Sequence, residues 1–296
     1  MGPGAKTVKM KEQLAARAAT KRPWARPQLL CLPLIVLFGA LLVWPLALLV
    51  WESIATADGA TLRRYADIVL IPRYRAALLW SLGISLAVAA VSTLTCLAPA
   101  WLFVRKEFAG KRLLRAAFAL PMSFSGVIVG FLMIIMLGRA GFVPAMAEKF
   151  FGSAWLSGAA YQTTGLLLAY LYFEIPRATL TLESALRKFD VRLEAAAQSL
   201  GANRLQSLFW VILPTIWPAL VSTFAVTFTV SLGSFGVALI LSTRQVNLLP
   251  LEIFTNIFAV PSDRAMAAAL SMMLTVVALG VNYGIRSWME REAVAR

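Results

Sequence analysis

No histidine occurs anywhere in the 296-residue sequence, and its two cysteines, Cys31 and Cys96, have no other cysteine near them. A zinc site, a histidine-based catalytic triad and a disulfide scaffold therefore lack their raw material. Charge is also scarce, with Asp, Glu, Lys and Arg making up 14% of the chain against about 25% in a soluble domain. The phosphate-binding pattern G-x-x-x-x-G-K-[ST] is missing too. The Gly110-Lys111 pair has neither the upstream glycine nor a following Ser or Thr, so the chain does not by itself bind ATP in that manner. No repeat of fixed period and no low-complexity tract interrupts the sequence.

What is abundant is apolar surface. Hydrophobic residues make up 60% of the chain and the mean hydropathy is +0.76, which marks an integral membrane protein. Runs of about 20 residues, long enough for a bilayer core of about 30 Å, recur at Leu29–Trp51, Ala77–Val104, Ala116–Leu137, Tyr161–Leu182, Ile216–Leu241 and Ala265–Ile285. They predict six transmembrane helices in one domain, 29–285, between a basic N-terminal tail, 1–28, and a short C-terminal tail, 286–296. The first run, about 22 residues long, exceeds the 7–15 of a signal-peptide core and predicts an uncleaved helix.

The net charge of +14 would suggest nucleic acid in a soluble chain, but its distribution points to topology instead. Lys6, Lys9, Lys11, Arg17, Lys21, Arg22 and Arg26 precede the first run, and Arg105, Lys106, Lys111, Arg112 and Arg115 follow the second. Arg187, Lys188, Arg192 and Arg204 follow the fourth, and Arg286, Arg291 and Arg296 close the chain. The alternate loops are poorer in basic residues, so both termini are expected in the cytoplasm and no nucleic-acid partner is implied. The N-terminal tail suits either a topology anchor or a surface helix on anionic membrane lipid.

Several features concern packing. Gly126 and Gly130 form a GxxxG, and Ala87, Ala89, Ala90 and Ser92 crowd the second helix, as close helix approach in lipid requires. Pro121, Pro176, Pro214 and Pro218 mark starts or kinks. Glu174 lies within an apolar run, which makes it a candidate for the translocation pathway. Pairing with Arg177 three residues on explains it equally well. Ser231, Gly233, Ser234, Phe235 and Gly236 fall in the outer half of the fifth run, where small residues around Phe235 suit either a constriction or close packing.

Between the fourth and fifth runs lies "LEAAAQSLGA", 193–202. Leu193, Ala196, Ala197 and Leu200 follow the spacing of one helical face, with Glu194 and Gln198 on another. Gly201 fits a left-handed helix end, and Asn203 with Gln206 has capping-box spacing for a second short helix. Helix, tight turn, helix is expected, serving either as a docking element or as a loop resting against lipid headgroups.

The stretch "EAAAQSLGANRLQSLFWVILPTIWP", from Glu194, resembles the EAA loop, here about 189–214, in permease subunits of binding-protein-dependent ABC importers. Ala196, Ala197, Gly201, Val211, Leu213, Pro214 and Pro218 match the family pattern, while the position usually held by glutamate is Ala195, one beyond Glu194. "YFEIPRATLTLESALRKFD", "SLGSFGVALILS", "LPLEIFTNIF" and "DRAMAAALSMM" extend the resemblance over roughly 166–283. It implies an all-α membrane protein of six transmembrane helices with the ABC type I importer permease fold. It also implies a multi-pass subunit of a bacterial inner membrane, non-catalytic, binding neither cofactor nor metal of its own.

ATP and Mg would be held by a partner ATPase dimer, whose cleft receives Glu194, Ala196, Ala197, Gly201, Ala202, Asn203, Leu205 and Pro214. ATPase closure would pull the loop as a lever, with Glu194 as an acidic docking contact and Glu174, Ser231, Ser234 and Phe235 as candidate pathway residues. A second permease, expected to be a different chain, and a periplasmic substrate-binding protein complete the implied assembly. The segments "SFGVALIL" and "LPLEIF" look most like the group handling spermidine and putrescine, with relatives for aminoethylphosphonate, thiamine and ferric iron. The alternative is a stand-alone secondary transporter driven by an ion gradient, against which the shortage of intramembrane charge counts.

Overall fold

The computed structural model describes residues 32–56, 59–152, 157–242, 246–259 and 261–295. The chain divides into two compact units, Met1–Trp51 and Glu52–Arg296. The basic stretch 1–28 and Cys31 lie outside the described residues. Helix α1, Pro33–Ile54, begins in the first unit. Its π-turn at Gly39–Val43 comes just before Pro45, where the absent proline N–H removes a ladder bond and a wider turn is accommodated.

In the second unit a short antiparallel pair, Ala55–Thr56 with Gly59–Ala60, leads into α2 (Arg63–Leu70), α3 (Pro72–Arg105) and α4 (Lys111–Ala119). Then come α5 (Gly126–Leu137), α6 (Phe142–Phe151), α7 (Thr163–Leu186), α8 (Val191–Ser199) and α9 (Arg204–Ser207). A π-turn, Leu208–Ile212, continues into α10 (Leu213–Leu232), followed by α11 (Phe235–Leu241), α12 (Leu249–Phe258) and α13 (Arg264–Ala295). Among the described residues, five stretches are helices long and apolar enough to cross a membrane: Pro33–Ile54, Pro72–Arg105, Gly126–Phe151, Leu205–Leu232 and Arg264–Met289. The sixth expected span is α7, whose 24 residues suffice for the bilayer core at about 1.5 Å each but carry Glu174, Arg177 and Glu183.

α3 is the central element, packed along α7 and α10. Lipid tails are as apolar as leucine, so helices associate through close packing rather than hydrophobic burial. α3 accordingly turns a stripe of small residues inward, with Ala77, Ser81, Ser85, Ala89, Ser92, Cys96 and Ala100 all buried. Of the small residues expected there, Ala89 and Ser92 are buried and Ala87 is exposed. The GxxxG of α5 meets α11 at very close range. A Cβ on Gly236 would stand 2.9 Å from the backbone nitrogen of Val127, and one on Gly130 2.6 Å from Ile240 Cβ.

Several boundaries differ from expectation, among them the start of the second span at Pro72 rather than Ala77 and of the fifth at Leu205 rather than Ile216. The third span begins at Gly126, after amphipathic α4 and a 3-10 turn at Leu120–Ser123 that holds Pro121, and Ser125 caps it by accepting from Ile128 N at 3.4 Å. The fourth runs four residues beyond Leu182 to Leu186. The fifth ends at Leu232, because Ser234 is extended and α11 restarts as a separate helix. α13 continues through the expected tail to Ala295. At the far end of α3, buried Glu252 of α12 accepts from Arg73 Nε at 2.7 Å and from Asn247, tying α12 to the start of α3.

Candidate functional site

The candidate site is the hairpin of α8 and α9, at the end of the bundle where α7 finishes and α10 starts. Asp190 opens α8 by accepting from Arg192 N at 2.9 Å, and the alanines at 195–197 supply high helix propensity. The helix closes in a Schellman motif, with Ala202 N donating to Ala197 O at 3.1 Å and Gly201 N to Gln198 O at 3.0 Å. Gly201 has φ +91°, the left-handed backbone the motif demands. Asn203 and Gln206 then form a reciprocal capping box, both bonds 2.8 Å. The expected second short helix is therefore the first turn of a longer one, because α9 passes through the π-turn into α10 and Leu205–Leu232 runs as one span. Pro214 falls in the first turn of α10, inside the continuous helix Leu205–Leu232, where its missing N–H removes a ladder bond just after the wider π-turn.

The hairpin presents apolar surface outward. Leu193, Leu205 and Phe209 are exposed, and Leu200, beside the Gly201 turn, is 90% exposed. Ala196 and Asn203 are exposed, while Ala197, Ala202 and Pro214 are half-buried. Glu194 is turned toward the chain itself. Its Oε2 lies 2.6 Å from Nη2 of Arg105, the last residue of α3, and the Arg105 guanidinium lies over the rings of Trp101 at 4.5 Å and Phe189 at 5.5 Å. Close by in sequence, Glu183 is fully buried between Arg187 Nη2 at 2.7 Å and Arg115 Nε at 3.1 Å. In the loop after α3, the Lys111 ammonium, 2.7 Å from Glu107, holds that carboxyl below the usual range.

The pathway candidates are dispersed by comparison. Glu174 is buried in α7 and accepts from Arg177 Nη1 at 2.9 Å, so the pairing alternative is realised. Ser231 is buried on α10, and Ser234 marks the helix break, where its carbonyl accepts from the Tyr170 hydroxyl at 2.8 Å. Phe235 packs on Phe254 of α12, ring centroids 5.1 Å apart, beside a groove of about 290 Å³ lined by Gly233, Pro250, Ile253 and Leu274. Gly236 belongs to the close contact with α5.

Sequence reasoning missed Arg105, Arg115 and Tyr170 as structural partners. The spacing of Glu183 and Arg187 at i,i+4 is a signal for that pair, whereas nothing local links Arg105 to Glu194. Among the described residues no cluster of His, Cys, Asp and Glu is suited to a metal ion.

A family model described as "Binding-protein-dependent transport system inner membrane component" matches residues 94–286. The molybdenum transport system permease protein ModB of Escherichia coli is 31% identical over 195 residues, covering 65% of this chain and 82% of ModB. The sulfate transport system permease protein CysT of Salmonella typhimurium is 28% identical over 233 residues, covering 75% of this chain and 82% of CysT. In structure, a chain of a bacterial ABC transporter involved in import of the acidic polysaccharide alginate superposes with TM-score 0.75 at 19% identity, over 94% of this chain and 99% of that one. The same transporter type in complex with an alginate pentasaccharide-bound periplasmic protein gives 0.74 at 19% identity, over 93% and 96%. These similarities are to molybdenum and sulfate permeases, and the expected polyamine-type grouping finds no support in them.

Proposed function

Because this chain belongs to the inner membrane components of binding-protein-dependent transport systems, and so is a permease subunit of an ABC importer, we propose that the α8–α9 hairpin is where a separate ATPase drives it. The observation that carries this reading is a doubly capped hairpin that exposes Leu200 and Leu205 on either side of Gly201. Leu200 lies outside the membrane spans, where no lipid tail covers it, and a protein cleft is a fitting occupant. The chain forms half of the pathway, and a second permease subunit forms the other half. A periplasmic binding protein delivers the solute, and the ATPase dimer holds ATP and Mg. The basic loops and tails set both termini in the cytoplasm of a bacterial inner membrane.

The solute we propose is a small tetrahedral oxyanion of the molybdate or sulfate kind, on the strength of the relatives' names. Glu174, the residue that favoured a cation, is engaged by Arg177 through Oε1, which accounts for it without a cationic solute. An ion-gradient carrier is disfavoured by the family membership itself.

The test is gentle purification of the tagged chain from its native membrane, with identification of every accompanying protein by mass spectrometry. An ATPase, a second permease and a periplasmic binding protein are expected. Native mass spectrometry of that binding protein, offered molybdate, sulfate and spermidine, is expected to show one of the oxyanions bound. A folded chain recovered repeatedly alone would overturn the importer assembly, and retention of spermidine only would overturn the oxyanion assignment.

A further inference from the structure

Glu194 stands one residue before the position where the resembling permeases carry their glutamate, and the structure gives it a different employment. Its carboxylate meets Arg105, and both side chains are largely shielded, 17% exposed for Arg105 and 23% for Glu194. Shielding of this kind keeps an ion pair from being screened away by salt. Trp101 lies under the guanidinium from one turn earlier in α3, and Phe189 approaches it from the link between α7 and α8. Pairing and stacking at once is a task for a planar guanidinium, and a lysine ammonium does it poorly. Arg105 ends a 34-residue helix, about 50 Å long at about 1.5 Å per residue. The other end of that helix is fastened to α12 through Arg73 and Glu252.

We propose that Arg105 is a positioning residue for energy coupling: it clamps α8 to α3, so that a pull on the hairpin moves α3 together with α10. The proposal rests on the reading of the hairpin as the ATPase-driven element. Without the clamp, α8 is joined to the bundle mainly by chain connections at its two ends and by its packing against α9 and the π-turn. Displacement would then reach α10 through the Gly201 turn while α3 lagged. With it, the helix that packs along both α7 and α10 receives the same displacement directly, and so does the Arg73–Glu252 attachment at its far end.

The experiment uses the intact transport complex in liposomes, with Arg105→Gln, Glu194→Gln, Arg105→Lys and the exchanged pair Arg105→Glu with Glu194→Arg. Two readouts are taken, solute taken up per ATP hydrolysed and the amount of ATPase that copurifies. Both glutamine variants are expected to retain the ATPase and lose about fivefold or more in uptake per ATP, the lower bound of a typical coupling energy. Arg105→Lys should recover part of the loss and the exchanged pair most of it. Glutamine variants with wild-type uptake per ATP would overturn the clamp, as would an exchanged pair no better than either single change. Release of the ATPase by Glu194→Gln but not by Arg105→Gln would overturn it in favour of a direct ATPase contact. A wild-type complex that takes up no solute with ATP would overturn the importer reading beneath it, an outcome visible before any variant is made.

Discussion

Replacing Gly201 with valine perturbs one backbone angle and little else. The residue sits at φ +91°, and a Cβ built there meets no heavy atom within 4 Å. The cost is therefore conformational strain rather than collision, about 1–2 kcal/mol for an ordinary L-residue held in the left-handed region and toward about 3 kcal/mol for a β-branched one. At about 2 kcal/mol the balance between the Schellman turn and its alternatives shifts roughly thirtyfold, enough for the hairpin to lose its fixed geometry much of the time. Both bonds of the motif, Ala202 N to Ala197 O and Gly201 N to Gln198 O, are forfeited together. The bundle core is remote from this exposed turn, so the thermal midpoint should stay within a degree or two of wild type. In proteoliposomes containing the whole complex, ATP hydrolysis should continue while uptake per ATP falls in the order asparagine, alanine, valine, with asparagine mildest because it tolerates the left-handed region. Wild-type uptake per ATP in Gly201→Val would refute the reasoning. So would a ranking by side-chain size, with leucine worse than valine, because the strain comes from the backbone and an added Cβ meets nothing.

Gly236→Ala tests a collision instead. Its new Cβ would lie 2.9 Å from Val127 N and 3.1 Å from the backbone of Gly126, atoms that cannot swing aside, so α5 and α11 must separate at a cost of about 1–3 kcal/mol. A lowered thermal midpoint in detergent is expected, and an unchanged one would show that the helices do not approach so closely. Glu183→Gln removes the charge between Arg115 and Arg187, whose side chains are each 48% exposed. Both arginines can rehydrate, so the loss should be on the order of 1–2 kcal/mol rather than the 3–5 of a fully buried broken pair. Denaturant unfolding of the detergent-solubilised chain measures it, and a variant as stable as wild type would show that the network contributes no net stability.

The hairpin was legible from sequence because its determinants are local: an alanine-rich helix face, a glycine five residues after Ala196, and an Asn and Gln three apart. Every one of those bonds closes within a few residues of its partner. The break at Gly233 and Ser234 was not legible, since two small residues inside a long apolar run do not outweigh its hydropathy. What separates α11 from α10 is tertiary, the hydroxyl of Tyr170 holding the Ser234 carbonyl and the backbone contact with α5. The Arg105–Glu194 pair was invisible for the same reason, joining residues from different helices with no shared pattern. The polyamine-type expectation, which the relatives do not support, is more instructive. "SFGVALIL" supplies α11, which packs on α5, and "LPLEIF" supplies most of α12 with its structural Glu252. Segments occupied with packing report the fold they build and carry little about the solute that passes.

The π-turn at Leu208–Ile212 has a geometric consequence of its own. A π-turn holds more residues per turn than an α-turn, and each residue advances a helix by about 100°. The face that α9 presents and the face that α10 turns into the bundle are therefore phased separately, although one unbroken helix carries both. The angle at which the hairpin projects is set by a residue count between Gly201 and Pro214, independent of what either segment is made of. A chain that kept the hairpin and the membrane stripe unchanged but lost one residue from that interval would fold its bundle as before and point the hairpin at a different quarter of the compass.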